Sequence, residues 1–428
     1  MAYQDVLDLL YTLPRFGHAG AAAYQPGQER VRALLGAMGN PHEQIESIHV
    51  AGTNGKGSTA SMVAAIGTAF RKRIGLHTSP HLFDFAERMR IDGSPAPHEW
   101  IVDAVLRFMR DIKRIEPSFF EASVALSFLY FAEEDVDLAV VEVGLGGRLD
   151  ATNVLTPRAC AVTHIGLDHT EFLGDSLEAI AREKGGIAKS TVPLLSAVED
   201  GAASAALGET AQKSGAKFED VRESTSMEVI NSAPPGLVIN LQTPVRAYRG
   251  LSVELSGVHQ AWNAALAVRL AETVWPDIQQ EAVRAGLADV VARSGLRGRC
   301  EVMSGHPRII ADVAHNPDGW LAALSFAKPK QEGQLYALVG VMEDKDVAAL
   351  ATLLVEREAI TLPVGLPSPR ALSKSVLSEI LQTTGVSVVD VADIEDGIGW
   401  YCQCAQESDI LLITGSHLAV SELRNYVS

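Results

Sequence analysis

The chain has 428 residues, of which 47% are hydrophobic and 21% charged, so it is long enough for two or three soluble domains with their own cores. Its formal net charge of -17 excludes the extended basic surface that binds nucleic acid or anionic membranes. The four cysteines include no C-x-x-C pair, which argues against a zinc site and fits a reducing cytoplasm.

The N-terminal part of the chain predicts two short helices, over residues 4–13 and 28–38, where leucine and valine recur at helical spacing. Between them, residues 15–27 form a loop rich in Gly, Ala and Pro that is long enough to be functional. The first residues contain no basic n-region or apolar h-region, and no apolar run reaches the length of a membrane span. We therefore expect a cytoplasmic protein.

The stretch from His49 to Thr59, H-V-A-G-T-N-G-K-G-S-T, follows an apolar β-branched run and precedes a helical pattern. Glycines let successive backbone N–H groups point at one anion, and the start of a helix adds its positive dipole end. Lys56 can reach terminal phosphates, and Ser58 or Thr59 can offer a hydroxyl to Mg²⁺. Gly57 departs from the G-x-x-x-x-G-K-[ST] spacing, and a plain glycine-rich turn is the alternative. We predict a nucleoside triphosphate site.

A second strong strand is predicted over residues 137–143, after a shorter strand at 73–77 and helices at 100–114 and 119–131. Its near-continuous apolar run is typical of a central parallel strand buried on both faces. Glu142 lies close to its C-terminal end, at the sheet edge where ligands collect in open α/β folds. We interpret Glu142 as a Mg²⁺ ligand or a residue that holds water. A carboxylate that merely ends the strand is the alternative.

Two further polar residues follow in the same half of the chain. His169 comes after a predicted strand at residues 159–165. Two interpretations are equally open for His169, a functional residue and a polar residue with its hydrogen bonds satisfied. Lys184 stands beside Glu183 on a predicted helix, and the local pattern alone favours a solvated charged face. Residues 216–256 contain short β-prone runs, which predict a small β element at the periphery of the first domain.

The fold class predicted from this order of elements is α/β. An N-terminal domain over residues 1–295 resembles P-loop NTPases and has a parallel central sheet. Beyond it, strands and helices alternate up to the C-terminus, which predicts a smaller Rossmann-like α/β domain over residues 296–428. No G-x-G-x-x-G motif opens that domain, so a dinucleotide cofactor is not indicated.

Taken in order and spacing, the motifs resemble the folylpolyglutamate synthase/dihydrofolate synthase family, a branch of the ATP-dependent Mur ligase superfamily. The resemblance covers nearly the whole chain. It rests on ten stretches, at residues 49–59, 78–81, 120–121, 142–153, 166–169, 182–184, 257–263, 298–299, 312–319 and 344–346.

The resemblance implies an amide ligase that uses ATP and Mg²⁺. The γ-phosphate of ATP is transferred to a substrate carboxylate, and the amine of L-glutamate attacks the resulting acyl phosphate. The metal ligands that it implies are Ser79, Glu142, His169 and Lys184, the last being a lysine that is often carbamylated in the family. The catalytic residues that it implies are Lys56, His169 and Lys184. The nucleotide-binding residues that it implies are Gly52, Thr53, Asn54, Gly55, Lys56, Gly57, Ser58, Asn263, Arg299, Asp312 and His315. The residues that it implies for the pterin ring are Phe120, Asp150 and Ala151.

The expected substrates are dihydropteroate, reduced folates and L-glutamate, and we expect a monomer that binds neither nucleic acid nor membrane. One alternative is a folylpolyglutamate synthase that does not accept dihydropteroate. A Mur-type peptide ligase would need a further N-terminal domain for its UDP moiety, and only 48 residues precede His49. A P-loop switch without ligase activity is the third alternative. For Phe120 and Asp150, core packing and helix capping are the alternatives to binding a pterin.

Overall fold

The fold is described from a computed structural model of the chain. The described residues are 1–14, 27–232, 236–305, 308–329 and 333–426, so the glycine-rich loop predicted over 15–27 lies outside them except for Gly27. The chain divides into two compact units. Unit 1 comprises residues 1–254 and 259–296, and unit 2 comprises residues 255–258 and 297–428.

Unit 1 is built on an eight-stranded sheet with the strand order β4-β3-β2-β5-β1-β6-β7-β8. Its strands are β1 (Ser47–Ala51), β2 (Ile74–His77), β3 (Met89–Ile91), β4 (Ser94–Pro95), β5 (Leu138–Glu142), β6 (Ala159–Val162), β7 (Pro193–Ser196) and β8 (Lys217–Asp220). Along this order, the neighbours among β2, β5, β1, β6, β7 and β8 all pair in parallel. Strands β3 and β4 extend the sheet beyond β2 by antiparallel pairing, and the sequence did not predict this edge. All five residues of β5 are buried, as predicted for a central strand.

Helices surround this sheet. They are α1 (Tyr3–Thr12), α2 (Glu29–Ala37), α3 (Lys56–Ala69), α4 (His98–Arg107), α5 (Met109–Ile115), α6 (Phe119–Glu133), α7 (Thr170–Leu173), α8 (Leu177–Gly185), α9 (Gly201–Ser214), α10 (Val221–Ser224), α11 (Gln260–Val274), α12 (Gln280–Leu287) and α13 (Val290–Ser294). Short 3-10 helices cover Pro41–Glu43, Phe85–Arg88 and Ala151–Val154. The apolar faces of α1, α2, α4 and α6 share one core cluster with Ala139 and Val141 of β5. A second cluster joins β6 and β7 to α8 and α9.

The β element predicted over residues 216–256 divides into two parts. Strands β9 (Ser226–Asn231), β10 (Leu237–Gln242) and β11 (Ala247–Val253) form the small antiparallel sheet. Residues 217–220, by contrast, are strand β8 of the main sheet, and Phe218 of that strand pairs with Leu194. Phe218 also packs against the core cluster of α8 and α9, which explains why this segment joins the large sheet.

Unit 2 contains a six-stranded sheet with the order β12-β13-β17-β14-β15-β16. Its strands are β12 (Glu301–Gly305), β13 (Arg308–Ala311), β14 (Leu335–Val339), β15 (Ile360–Pro363), β16 (Ser387–Val388) and β17 (Ile410–Thr414), and its helices are α14 (Pro317–Phe326), α15 (Val347–Glu356), α16 (Lys374–Thr383), α17 (Ile394–Cys404) and α18 (His417–Ser421), followed by a 3-10 helix at Glu422–Tyr426. All pairings are parallel except that of β12 with β13. The sheet therefore has the predicted parallel α/β character. Within the described ranges, no helix combines the length and the apolar composition needed to cross a bilayer.

Candidate functional site

The predicted phosphate loop connects the end of β1, at Ala51, to the first residue of α3, at Lys56. A Cβ atom on Gly52 would lie 1.9 Å from the Thr163 hydroxyl oxygen, so only glycine fits there. Gly55 adopts a φ of +85°, a left-handed conformation that favours glycine. Thr163 donates its hydroxyl hydrogen to the Asn54 carbonyl at 2.6 Å and so fixes the curve of the loop.

The loop is tied to the segment after β6 by a second set of hydrogen bonds. The Thr53 N–H donates to the His164 carbonyl at 2.6 Å, and the Thr53 hydroxyl oxygen lies 3.1 Å from both the carbonyl oxygen and the amide nitrogen of Gly166. Gly57 and Ser58 are buried in the first turn of α3. A curved glycine loop at the end of a buried strand, with a helix start behind it, is the geometry of an anion cradle.

Two lysine side chains converge on this loop. The Lys56 and Lys184 amines each donate to the Gly52 carbonyl at 3.0 Å, and Lys56 also donates to the Thr53 carbonyl. Lys184 is only 4% exposed, so the interpretation as a solvated charged face is wrong for this residue. Burial, with a smaller contribution from the charge of Lys56, lowers the pKa of the Lys184 amine to about 7.

Ser79 and Glu142 of the predicted metal set lie together. Glu142 is the last residue of β5, and its Oε2 accepts the backbone N–H of Ser79 at 3.1 Å. His169 is the N-cap of α7, with a left-handed φ of +52°, and its ring Nε2 lies 3.9 Å from the Asp168 carboxylate. No group of three or more His, Cys, Asp and Glu residues suited to a metal occurs in the part of the chain that the structure describes.

The chemistry of this donor set fits Mg²⁺ only in part. A carboxylate from Glu142 and a hydroxyl from Ser79 are the hard oxygen ligands that Mg²⁺ prefers. The amine of Lys184 is not such a ligand, and it would fit only as a carbamate, which presents oxygen atoms.

The first turn of α11 places two side-chain amides beside the phosphate loop. The Oδ1 of Asn263 lies 2.4 Å from the position that a Cβ atom on Gly55 would take. Asn263 donates through Nδ2 to the side-chain Oε1 of Gln260 at 2.9 Å, and Gln260 donates through Nε2 to the Ser58 hydroxyl oxygen at 3.3 Å. Asn263 was predicted as a nucleotide residue. Gln260 belongs to the same motif, but sequence reasoning gave it no role.

The predicted pterin residues lie on α6 and on the 3-10 helix at Ala151–Val154. The ring of Phe120 is partly exposed and packs closely on Gly144. A Cβ atom on residue 144 would lie 2.3 Å from the ring, so this contact requires glycine. Asp150 is the N-cap of the 3-10 helix, so its capping role is present in the structure. Ala151 is buried as the first residue of that helix.

The Asp150 carboxylate is held on several sides. It accepts the backbone N–H groups of Thr152 and Leu145, each at 2.9 Å, and the hydroxyl of Thr152. That hydroxyl in turn accepts from Nε2 of His49 on β1 at 2.8 Å. Burial raises the pKa of the Asp150 carboxyl above its ordinary value, and these hydrogen bonds offset only part of that rise.

The remaining predicted nucleotide residues belong to unit 2. Asp312 follows β13, and its carboxylate accepts the backbone N–H groups of Cys300 at 2.7 Å and Ala314 at 2.8 Å. His315 donates from Nδ1 to the Val313 carbonyl at 3.0 Å, which fixes the orientation of its ring. Arg299 donates to the Gly298 carbonyl at 3.1 Å. Asp312 and His315 follow β13 at the carboxyl edge of the parallel sheet of unit 2, and Arg299 lies just before β12, which pairs antiparallel with β13.

Comparison with known protein families matches both units. Residues 50–271 match the Mur ligase middle domain, and residues 298–417 match the glutamate ligase domain of Mur ligases. A dihydrofolate synthase/folylpolyglutamate synthase of Bacillus subtilis is 30% identical over 99% of this chain and 98% of its own length. The chain belongs to the Mur ligase family, in its folylpolyglutamate synthase/dihydrofolate synthase branch.

Other relatives agree with this assignment. A probable bifunctional folylpolyglutamate synthase/dihydropteroate synthase of Haloferax volcanii is 32% identical over 99% of this chain, which spans 50% of that relative. The folylpolyglutamate synthase of Mycobacterium tuberculosis, solved with ADP, superposes with a TM-score of 0.89 at 30% identity, over 99% of this chain and 97% of its own. A bifunctional folylpolyglutamate synthase/dihydrofolate synthase, solved with Mn, AMPPNP and L-glutamate, gives a TM-score of 0.86 at 30% identity, over 99% and 98% of the two chains.

The predicted family, the α/β fold class and the class of enzyme, an ATP-dependent ligase, are therefore confirmed. The same assignment confirms the predicted use of ATP and a divalent metal. The roles of the individual site residues stay predictions.

Proposed function

We propose that the chain is an ATP-dependent ligase that joins L-glutamate to a folate carboxylate through an acyl phosphate. The observation that carries the proposal is the phosphate loop, in which Gly52 and Gly55 shape the backbone and Lys56 opens the following helix. Glu142 and Ser79 lie at the end of a strand of the same sheet, where oxygen ligands for a divalent cation are needed.

The reaction consists of two transfers. In the first, a substrate carboxylate oxygen attacks the γ-phosphorus, the bond to the β-phosphate oxygen breaks, and ADP leaves. In the second, the amine of glutamate attacks the acyl carbon, and phosphate leaves with the bonding electron pair while the amine loses a proton. Both steps place negative charge close to the phosphate loop, so preorganised positive groups are what this chain must supply.

The residues of the chain supply this charge and the orientation. Lys56 and the N–H groups of the first turn of α3 bind the transferred phosphoryl oxygens. Glu142, Ser79 and His169 would hold Mg²⁺, which when bound neutralises the developing phosphate charge. Lys184 would join them as a carbamate. Asn263 contacts the loop at Gly55 and orients the nucleotide.

The acceptor specificity that we propose is dual, for dihydropteroate and for reduced folates. Phe120 offers a partly exposed aromatic face on which a flat pterin can stack. Asp150 offers a carboxylate to the amino-pyrimidine edge, although the carboxylate also caps the 3-10 helix. The alternative is a folylpolyglutamate synthase that does not act on dihydropteroate.

The domain organisation that we propose is an ATP-binding domain of the P-loop type over residues 1–295 and a Rossmann-like ligase domain over residues 296–428. We also propose that the enzyme acts as a cytoplasmic monomer with small-molecule substrates and no nucleic-acid or membrane partner.

The deciding experiment measures incorporation of labelled glutamate and release of ADP with dihydropteroate, tetrahydrofolate or neither. We expect ADP release only when glutamate and an acceptor are both present, and product from each acceptor. Hydrolysis of ATP without acceptor or glutamate would instead identify a nucleotide switch. Glutamylation of tetrahydrofolate but not of dihydropteroate would show that the enzyme is a folylpolyglutamate synthase only.

A further inference from the structure

Gln260 connects the first turn of α11 to the first turn of α3. It is only 1% exposed, and its side-chain amide lies between Ser58 and Asn263. Residues 58 and 260 are 202 positions apart in the chain, so this contact exists only in the folded unit.

The two hydrogen bonds of Gln260 determine the orientation of its amide. Its Oε1 accepts Nδ2 of Asn263 at 2.9 Å, which leaves Nε2 to face Ser58. An amide nitrogen only donates, so the Ser58 oxygen accepts this bond at one of its two lone pairs. The Ser58 hydroxyl hydrogen and the second lone pair are then directed elsewhere.

The hydrogen bond from Asn263 to Gln260 likewise determines the orientation of the Asn263 amide. Because the Asn263 nitrogen donates to Gln260, the Oδ1 atom of Asn263 is the atom that lies against Gly55 of the phosphate loop. Gln260 thus fixes the direction of two polar groups that both belong to the predicted nucleotide site. Since Gln260, Ser58 and Asn263 are buried, water does not easily replace these bonds.

We infer that Gln260 is a positioning residue for the Mg²⁺–nucleotide complex: it orients the Ser58 hydroxyl and the Asn263 amide without itself contacting the ligand. The inference rests on the proposed function, because it requires that the loop bind a nucleoside polyphosphate. With one lone pair of Ser58 occupied, the hydroxyl keeps one hydrogen for a phosphate oxygen and one lone pair for a cation.

The test is a double-mutant cycle on the full chain, with ADP and Mg²⁺ as the probe in isothermal titration calorimetry. Gln260→Met preserves the length of the side chain and removes both hydrogen bonds. We expect it to raise the Kd for ADP–Mg²⁺ by on the order of tenfold, the size expected from the loss of one well-placed hydrogen bond. In a Ser58→Ala background, the same substitution should change the Kd by less, because one of the two partners of Gln260 is already absent.

Two further variants separate positioning from packing. Gln260→Glu keeps an acceptor for Asn263 but, when ionised, cannot donate to Ser58, so it should also raise the Kd for ADP–Mg²⁺. This variant provides the test if the methionine variant does not fold. Gln212→Met on the exposed face of α9 is the matched control, and it should leave the Kd unchanged. Thermal unfolding of each variant reports whether the fold is intact.

A folded Gln260→Met protein that binds ADP–Mg²⁺ within twofold of the wild type would overturn the inference. The cycle is repeated in an Asn263→Ala background, and an equal effect of Gln260→Met in both backgrounds would also overturn the inference, because Gln260 would then act through neither partner. These results differ from a failure of the proposed function, in which the wild type would itself not bind ADP–Mg²⁺ or would bind it and ligate no glutamate.

Discussion

Lys56 is the residue on which the proposed phosphoryl transfer depends most directly. Its amine donates to the Gly52 and Thr53 carbonyls and lies at the first position of α3. We predict that Lys56→Ala lowers kcat for ligation by on the order of 10²-fold or more, because a preorganised positive charge at the transition state is lost. The steady-state rate of ADP release measures this loss.

Lys213→Ala is the matched control, since Lys213 lies exposed on α9 in the same unit. Its activity should equal that of the wild type. Circular dichroism should show that both variants fold. Near-normal turnover of a folded Lys56→Ala protein would refute the phosphate-loop interpretation.

Lys184 is the residue at which burial changes the chemistry. A lysine amine with a pKa of about 7 is largely neutral at slightly alkaline pH, and a neutral amine can react with CO₂ to form a carbamate. We predict that Lys184 is carbamylated in the active enzyme. A ¹³C signal from labelled bicarbonate should appear in the wild type and be absent from Lys184→Ala.

Short carboxylates should partly restore the activity of Lys184→Ala, because they supply oxygen ligands in place of the carbamate. A wild-type rate for Lys184→Ala without any additive would instead show that the metal site does not need this residue.

The same pKa shift predicts a pH dependence of stability. An unfolded lysine has a pKa of about 10.4, so between pH 7 and 10 the unfolded chain holds a proton that folded Lys184 has lost. Stability therefore rises with pH across this window, and the full penalty of burying the ammonium group is present below pH 7. Relative to Lys184→Met, the wild type should gain about 2 kcal/mol in free energy of unfolding between pH 7 and 9.

Urea titrations of both proteins in CO₂-free buffer without Mg²⁺ measure this difference. Lys56, Asp168 and Asp150 also influence the titration of Lys184, and they are unchanged in the variant. A difference between the two proteins that stays constant from pH 7 to 9 would mean that the buried amine keeps an ordinary pKa.

At the scale of single elements, the start of α6 and the 3-10 helix at Ala151–Val154 carry the proposed pterin contacts. Phe120→Ala should raise the KM for dihydropteroate more than the KM for tetrahydrofolate, because the aromatic surface for stacking is lost. Asp150→Ala should do the same and also destabilise the fold by about 1 kcal/mol, since it removes a helix N-cap.

Phe108→Ala provides the control, because Phe108 is a partly buried aromatic residue of the same unit with no predicted role. Its KM values should match those of the wild type. If Asp150→Ala lowers stability but leaves both KM values unchanged, Asp150 is a capping residue only.

The sequence predicted the elements that carry strong local patterns. The buried strand β5 and the loop before α3 have continuous apolar or glycine-rich signals, and Glu142 was placed correctly at the end of its strand. The strands β3 and β4 were missed because they are short antiparallel additions at a sheet edge, with little periodicity to detect. The antiparallel strand β12, the parallel strand β7 and helix α9 were missed as well.

The site residues that local patterns could not reveal depend on contacts between distant segments. Lys184 stands beside a partly exposed Glu183 in a helix, yet its amine reaches a carbonyl 132 positions earlier in the chain. Gln260 was visible as part of a motif, but its bond to Ser58 depends on how α11 packs against α3. Spacing along one element does not contain this information, and only the resemblance to a family pointed to Lys184.

At the scale of the whole molecule, the predicted nucleotide residues belong to both compact units, since Arg299, Asp312 and His315 are part of unit 2. We predict that ADP with Mg²⁺ slows amide hydrogen exchange in residues 52–58 and also in residues 312–316, because a bound ligand suppresses local opening of the segments that it contacts. Hydrogen-exchange mass spectrometry with and without ADP–Mg²⁺ measures both segments in one experiment. Strand β9 has no predicted nucleotide residue, and its exchange should not change. Protection confined to residues 52–58 would show that the nucleotide roles assigned to the three residues of unit 2 are wrong, while leaving the phosphate loop as the nucleotide site.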